Sequence, residues 1–344
     1  MLSFVQSVNA LPAIAIGVIE MKNIRTAECI TPRHPDKICD RISDAILDEC
    51  LKQDPYSRVA VETMGGHGKV FITGEVTTNA KLDVPEIVCR VYGQQIDVTV
   101  NLVQQSNFIA QGVNTGGAGD QGIMVGYACD ENPQMIPQEL YLARSLCQEI
   151  YKVYPFDGKT QVTLENDQIM TVVASFQNAP TEEIKRIING WLRVSGYWNP
   201  NVTLHCNPAG DWNVGGFDAD AGVTGRKLVV DNYGPAIPIG GGAFSGKDST
   251  KVDRSAAYMA RKIAVDYLQI LPKCETKNEV FVYLAYAIGY DQPVQATVSI
   301  NGAESVISGY DLSPNGIIEH LGLREPKFAQ TAAWGHMGTN QTWG

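Results

Sequence analysis

PQELYLARSLCQEIYKVYPFDGKTQVTLENDQIMTVVASFQNAPTEEIKRIINGWLR, residues 137–193, decides the fold. Its first part, 137–154, has the apolar spacing of an amphipathic helix, and the runs 161–165 and 169–177 alternate apolar and polar residues as half-buried strands do. Asn166-Asp167 turns the chain between the two strands. A second helix follows over 181–193, with Thr181 as its cap and Glu182 and Glu183 behind it.

Working outward, the same order of helix, two strands and helix occurs twice more. The upstream unit has a helix at 36–51, strands at 58–64 and 69–77 about the turn Gly65-Gly66-His67-Gly68, and a helix at 84–92. The downstream unit has a helix at 253–271, strands at 280–289 and 294–300 about Asp291-Gln292-Pro293, and a short helix at 314–323. The repeat lies in pattern, not in sequence. Glycine-rich runs at 112–122 and 210–225 divide the chain into 24–113, 114–212 and 213–344. The expectation is an α+β protein of three similar α/β domains in pseudo-threefold arrangement. Each sheet would have one face on helices and the other needing cover, from another unit or another chain.

At 344 residues with 44% hydrophobic and 19% charged side chains, the composition is that of a globular protein. A net charge of -10 argues against a nucleic-acid footprint, so cations clustered near residue 250 mark a focused site for a small anion. Eight cysteines without a CxxC pair fit a reducing cytoplasm. Residues 8–19 are nearly all apolar, but no Lys or Arg precedes them and they are too short to span a bilayer. Residues 1–23 are therefore expected to be a disordered extension, or an overlong start with Met21 the first residue.

The densest chemistry is GGGAFSGKDSTKVDRS, residues 240–255. Its glycines let the backbone approach a ligand, Lys247, Lys251 and Arg254 bring positive charge, and Asp248 and Asp253 are candidate metal ligands. A helix start follows, which favours anions. The frame from Gly241 to Lys247 fits a Walker loop, but Asp248 replaces the hydroxyl and a turn-rich run, 232–238, replaces the buried strand. The reading is another kind of polyphosphate cradle. His34-Pro35-Asp36-Lys37 at a second helix start, and the glycine turns GAGDQG (117–122) and GVTGRK (222–227), add further groups suited to anions and metal. Any one of these is also explained as a structural turn; together they suggest a nucleotide.

TAECITPRHPDKICDRISDAILD, GAGDQG, GVTGRK and GGGAFSGKDSTKVDRSAAYMARK resemble the S-adenosylmethionine synthetases, in that family's order, over roughly residues 25–338. The resemblance implies attack of the methionine sulfur on the 5′ carbon of ATP, release of tripolyphosphate, and its cleavage to pyrophosphate and phosphate. It implies two magnesium ions per site and potassium, a homodimer as minimal active unit, and a homotetramer. Carried over residue by residue, His34, Lys247 and Arg226 act on the breaking bond, and Lys227 also holds phosphate. Asp36 and Asp253 match magnesium ligands, the latter for a site completed by a neighbouring subunit, and Glu62 resembles the potassium-site acid. Asp157, Lys159, Trp212, Asp220 and Ala243 match nucleotide contacts, Trp212 standing where Phe is common. Glu75, Gln105, Asp120, Asp220 and Lys251 match methionine contacts, Lys251 also lying near phosphate. By their residue pattern alone, Glu62 and Glu75 equally fit solvent-facing acids, and Trp212 a core residue.

Departures from the family pattern are Arg33 before the HPDK motif, Phe108 in place of an acid, Asp211 in place of Arg, a short loop at 111–117, and an ending at Gly344 without a Lys-rich last helix. A shorter gate would bear on rate and selectivity more than on reaction type. Other classes of function are a non-catalytic paralogue that senses ATP or S-adenosylmethionine, and a different ATP-dependent transferase.

Overall fold

The computed structural model describes residues 23–105, 116–273 and 277–344. The expectations for residues 1–22, for Phe108 and for most of the 111–117 loop lie outside the described residues.

Three four-stranded sheets are each packed on helices. In the first unit α1 (Pro35–Gln53) lies on β2 (Arg58–Gly66) and β3 (Lys69–Thr77), and α2 (Val84–Tyr92) crosses over to β4 (Asp97–Val103), parallel to β3. The second unit repeats this with α3 (Gln138–Tyr151), β6 (Gly158–Glu165), β7 (Gln168–Phe176), α4 (Thr181–Val194) and β8 (Thr203–Cys206), again parallel to its neighbour. After a short α5 (Leu228–Asp231), the third unit has α6 (Val252–Ile270), β10 (Glu279–Tyr286) and β11 (Gln295–Ile300), but its last strand, β12 (Ala303–Val306), returns antiparallel before α7 (Pro314–Leu321). The hairpin turns explain the registers. His67-Gly68, Asn166-Asp167 and Asn301-Gly302 all have φ between 47° and 86°, the paired left-handed conformation of a tight two-residue turn.

The fourth strand of each sheet comes from elsewhere in the chain. β1 (Ile24–Ile30) pairs with β6, β5 (Gly122–Cys129) with β10, and β9 (Gly222–Val223) with β2, all antiparallel. These edge strands have no helix of their own unit before them, so the helix-strand-strand-helix pattern passes over them. One core therefore runs through the first and third units, and a second lies under α3 and α4. Each fully buried branched side chain, such as Ile42, Val172 or Ile263, contributes about 1.5–3 kcal/mol. On the first sheet Val59, Val61, Val70 and Ile72 face this core, while Glu62, Met64, Phe71 and Glu75 look outward.

One local reading needs correction. Thr181 does not cap α4; Pro180 occupies that position, and Asp211 Oδ1 accepts from Thr181 N at 3.0 Å and Thr181 Oγ1 at 2.6 Å. The Asp that departs from the family's Arg thus supplies the cap. Arg33, the other charged departure, donates from Nη1 to Tyr92 O at 2.7 Å, where a cation suits the C-terminal end of α2.

Candidate active site

His34 precedes α1 in an extended conformation set by Pro35 at the first helical position. Its Nδ1 accepts the Asp36 N–H at 3.2 Å, which places the proton of the neutral ring on Nε2. Burial, then the charges of Lys227 and Lys159, push its pKa down to about 3. At neutral pH it is an uncharged N–H donor.

Asp36, fully buried, accepts from Val223 N at 3.0 Å and Lys227 Nζ at 2.6 Å, and pairs with Arg226 Nε at 3.1 Å. Burial raises its pKa, but the bonds from Lys227 and Val223 outweigh it and hold the carboxylate below its ordinary value. A Cβ on Gly222 would sit 2.2 Å from the Pro35 carbonyl carbon, so only glycine lets this turn close on the helix start. Four of the predicted groups thus meet across nearly two hundred residues.

The second group forms at the other helix start. Lys247 Nζ bonds Asp253 Oδ2 at 2.6 Å, and a Cβ on Gly242 would lie 2.1 Å from the Asp253 carboxyl carbon. A Cβ on Gly225 would approach Ala243 Cβ to 2.7 Å, so the GVTGRK turn abuts the glycine-rich loop. Glu62 has its pKa raised by burial and by Glu75, opposed by Lys247, which sets the two acids and this lysine in one electrostatic neighbourhood.

A third group gathers around Asp157, whose Oδ2 accepts from Gly216 N at 3.0 Å and whose pKa burial raises. Lys159 and Asp220 both act on its charge. Trp212 borders a cleft of about 350 Å³ with Asn178, Pro180 and Asp211, and its buried Nε1 has no partner among the described residues. Asp120 and Gln105 stand apart: Asp120 is exposed and accepts from Gln121 N at 2.7 Å, while Gln105 N donates to Thr77 Oγ1 at 3.3 Å.

Two candidates belong to the interior instead. Arg254 is fully buried, donating to both Asp44 oxygens at 2.6 and 2.8 Å and lying 4.2 Å over the Phe328 ring. Asp248, also buried, accepts from Val59 N at 2.7 Å, Thr250 N at 2.9 Å, Thr250 Oγ1 at 2.7 Å and Lys251 Nζ, which leaves no free lone pair for a metal.

What sequence reasoning missed is a ladder of aspartates on α1: Asp36, Asp40, Asp44 and Asp48, four residues apart on one face. Asp40 pairs with buried Lys37 and accepts from Gly225 N at 2.8 Å; Asp44 takes Gly246 N at 2.8 Å besides Arg254; Asp48 takes Phe328 N and Ala329 N, each at 2.9 Å. Successive rungs tie the 225, 246 and 328 loops to one helix. The four-residue spacing was the available signal.

Cations, carboxylates and glycine-only turns from the two helix starts thus adjoin one another. Comparison with known proteins gives the family: models of the S-adenosylmethionine synthetase N-terminal, central and C-terminal domains match residues 22–110, 115–212 and 214–344. Proteins named S-adenosylmethionine synthase from Rhodospirillum centenum, Desulforudis audaxviator and Clostridium tetani are each 40% identical to it. The matches cover 91%, 92% and 92% of this chain and 92%, 93% and 95% of those proteins. The chain belongs to the S-adenosylmethionine synthetase family, with that family's three-domain architecture.

Proposed function

We propose that this chain is a methionine adenosyltransferase, making S-adenosylmethionine from ATP and L-methionine and then cleaving the tripolyphosphate to pyrophosphate and phosphate. The observation that supports it most is the gathering of Arg226, Lys227, Lys247 and uncharged His34 around turns that only glycine permits. A thioether sulfur has its lone pair at every pH and needs no base. That pair forms the bond to the 5′ carbon, and the pair of the breaking C–O bond leaves on the triphosphate. The residues' task is to meet this charge with preset donors, the cations and the His34 Nε2–H.

Asp36 and Asp253 would each hold a magnesium ion. Among the described residues no three His, Cys, Asp or Glu side chains converge into a protein-only cage. Single carboxylates beside cations fit magnesium, which keeps water and phosphate oxygens in its shell. When bound it supplies positive charge against the phosphate chain. Glu62, near Glu75, would hold potassium. Asp157, Lys159, Trp212, Asp220 and Ala243 would take the nucleoside, and Glu75, Gln105, Asp120, Asp220 and Lys251 the methionine end.

A homodimer as active unit, and a homotetramer, are proposed from the outer face of the first sheet. There Met64, Phe71 and Val103 are 49%, 41% and 54% exposed beside Glu62 and Glu75, an apolar surface needing cover. The three units are read as pseudo-threefold. A cytoplasmic setting accords with seven free cysteines among the described residues, where no helix is long and apolar enough to cross a membrane. No observation favours the sensor reading, since His34, Asp36, Lys247 and Asp253 are all present. Incubation with ATP, methionine, magnesium and potassium, followed by mass detection of the sulfonium product, tests the proposal. Nucleotide binding without product would overturn it.

A further inference from the structure

A cavity of about 40 Å³ lies between the 248–250 loop, the start of β2, the first turn of α7 and Arg324. Neither Lys247 nor Asp253 lines it. At roughly 10–15 Å³ per water it has room for about three waters, the size class of one tetrahedral oxyanion.

Its lining is short of partners. Arg58 reaches it from β2, and its Nη1 is buried without a hydrogen bond; among the described residues no carboxylate pairs with this guanidinium. Ser249, only 6% exposed, lines the same space, and its hydroxyl bonds no described residue. A buried donor left unmade is costly, so the Arg58 guanidinium beside this hollow marks a place where a ligand is missing. The charge balance selects the sign of that ligand. Asp248 also borders the cavity, but its carboxylate is saturated by the Lys251 ammonium, Val59 N and Thr250. Arg324 adds a second guanidinium, braced at 4.9 Å over the Tyr56 ring and paired with Glu319, and Pro314 and Asn315 present the positive end of α7.

We infer that this cavity is a second anion site, taking one orthophosphate ion between Arg58, Ser249 and the start of α7, separate from the Lys247 cluster. The ion accepts from the Arg58 guanidinium and the Ser249 hydroxyl. It rests against Asp248, Ser249 and Thr250, next in the chain to Lys247. The assignment does not depend on the reaction proposed above.

The test is titration of the full chain with inorganic phosphate, followed by calorimetry, in a Lys247→Ala background that weakens the other cluster. Lys247→Ala is expected to keep one phosphate per chain, and Lys247→Ala/Arg58→Gln to bind it at least tenfold more weakly. Ser249→Val in the same background fills the hollow and is expected to do likewise, which preserves the test should the arginine variant not fold. Unchanged phosphate binding in a folded double variant overturns the site. A parallel titration with glycerol phosphate separates the sources: binding at least tenfold weaker than phosphate supports the free ion. Equal or tighter binding would assign the cavity to the phosphoryl end of a larger molecule and overturn the free-ion assignment.

Discussion

Two rungs of the α1 ladder use the same chemistry in different surroundings. At Asp36 a carboxylate meets Arg226, whose side chain is 53% exposed; two turns later Asp44 meets Arg254, with both side chains at 0%. The open pair is free to exchange its partner for a ligand of the same charge. The closed pair has no such freedom, since opening it would strand a charge in the core. Burial, more than residue type, separates the reacting groups from the framework that holds them.

The largest test of that division is Arg254→Met. Removing one partner of a fully buried ion pair costs about 3–5 kcal/mol, so denaturant unfolding should show the variant close to the limit of a folded chain. Lys247→Ala is expected to do the reverse. Its bond to Asp253 is partly exposed, so stability should change by about 1 kcal/mol or less, while turnover falls roughly 10²–10³-fold with loss of a charge aimed at the leaving group. Gly242→Ala sharpens the contrast without touching any charge. The added methyl must displace Asp253, and a misplacement of about 1 Å is worth on the order of 10²-fold in turnover. Unaltered turnover would show that Asp253 has no role in the site.

The smallest expected effect is on pH dependence. His336 bonds the Tyr258 hydroxyl at 2.7 Å within the interior, and burial, followed by Arg254 and Lys37, pushes its pKa well below 6.5. Below pH 6.5 the unfolded chain takes up a proton that the folded chain refuses, so this residue's contribution to stability is lost as pH falls. The slope is at most about 1.4 kcal/mol per pH unit. His336→Gln should flatten the acid limb of the stability curve relative to the parent protein; an unchanged slope would mean that the ring is already charged in the fold.

Much of this was legible in the sequence. The helices and the first two strands of each repeated unit follow from apolar spacing, and the turns from Asn-Asp and Gly-rich dipeptides, because both signals are local, but the third strands β4, β8 and β12 were passed over. The borrowed strands β1, β5 and β9 were not, since their partners lie in other units and no local rule states which sheet they join. At the site, the motifs held His34, Asp36, Arg226, Lys227, Lys247 and Asp253. They could not show that Asp248 and Arg254, embedded in the same motif, turn inward. For Arg254 that depends on the rotation of about 100° per residue around α6 and on what packs against it, whereas Asp248 lies in the loop before α6 and is held inward by Val59 N and Thr250. Asp36 and Lys37 divide in the same way, one toward the GVTGRK turn and the other toward Asp40 and Asp231.

The measurement closest to the central claim compares identical changes at the two rungs, with turnover and unfolding free energy determined on the same preparations of Arg226→Met and Arg254→Met. The account predicts that Arg226→Met loses turnover by roughly 10²-fold with stability within about 1 kcal/mol of the parent, whereas Arg254→Met loses several kcal/mol of stability. Full turnover in Arg226→Met, or undiminished stability in Arg254→Met, would contradict it.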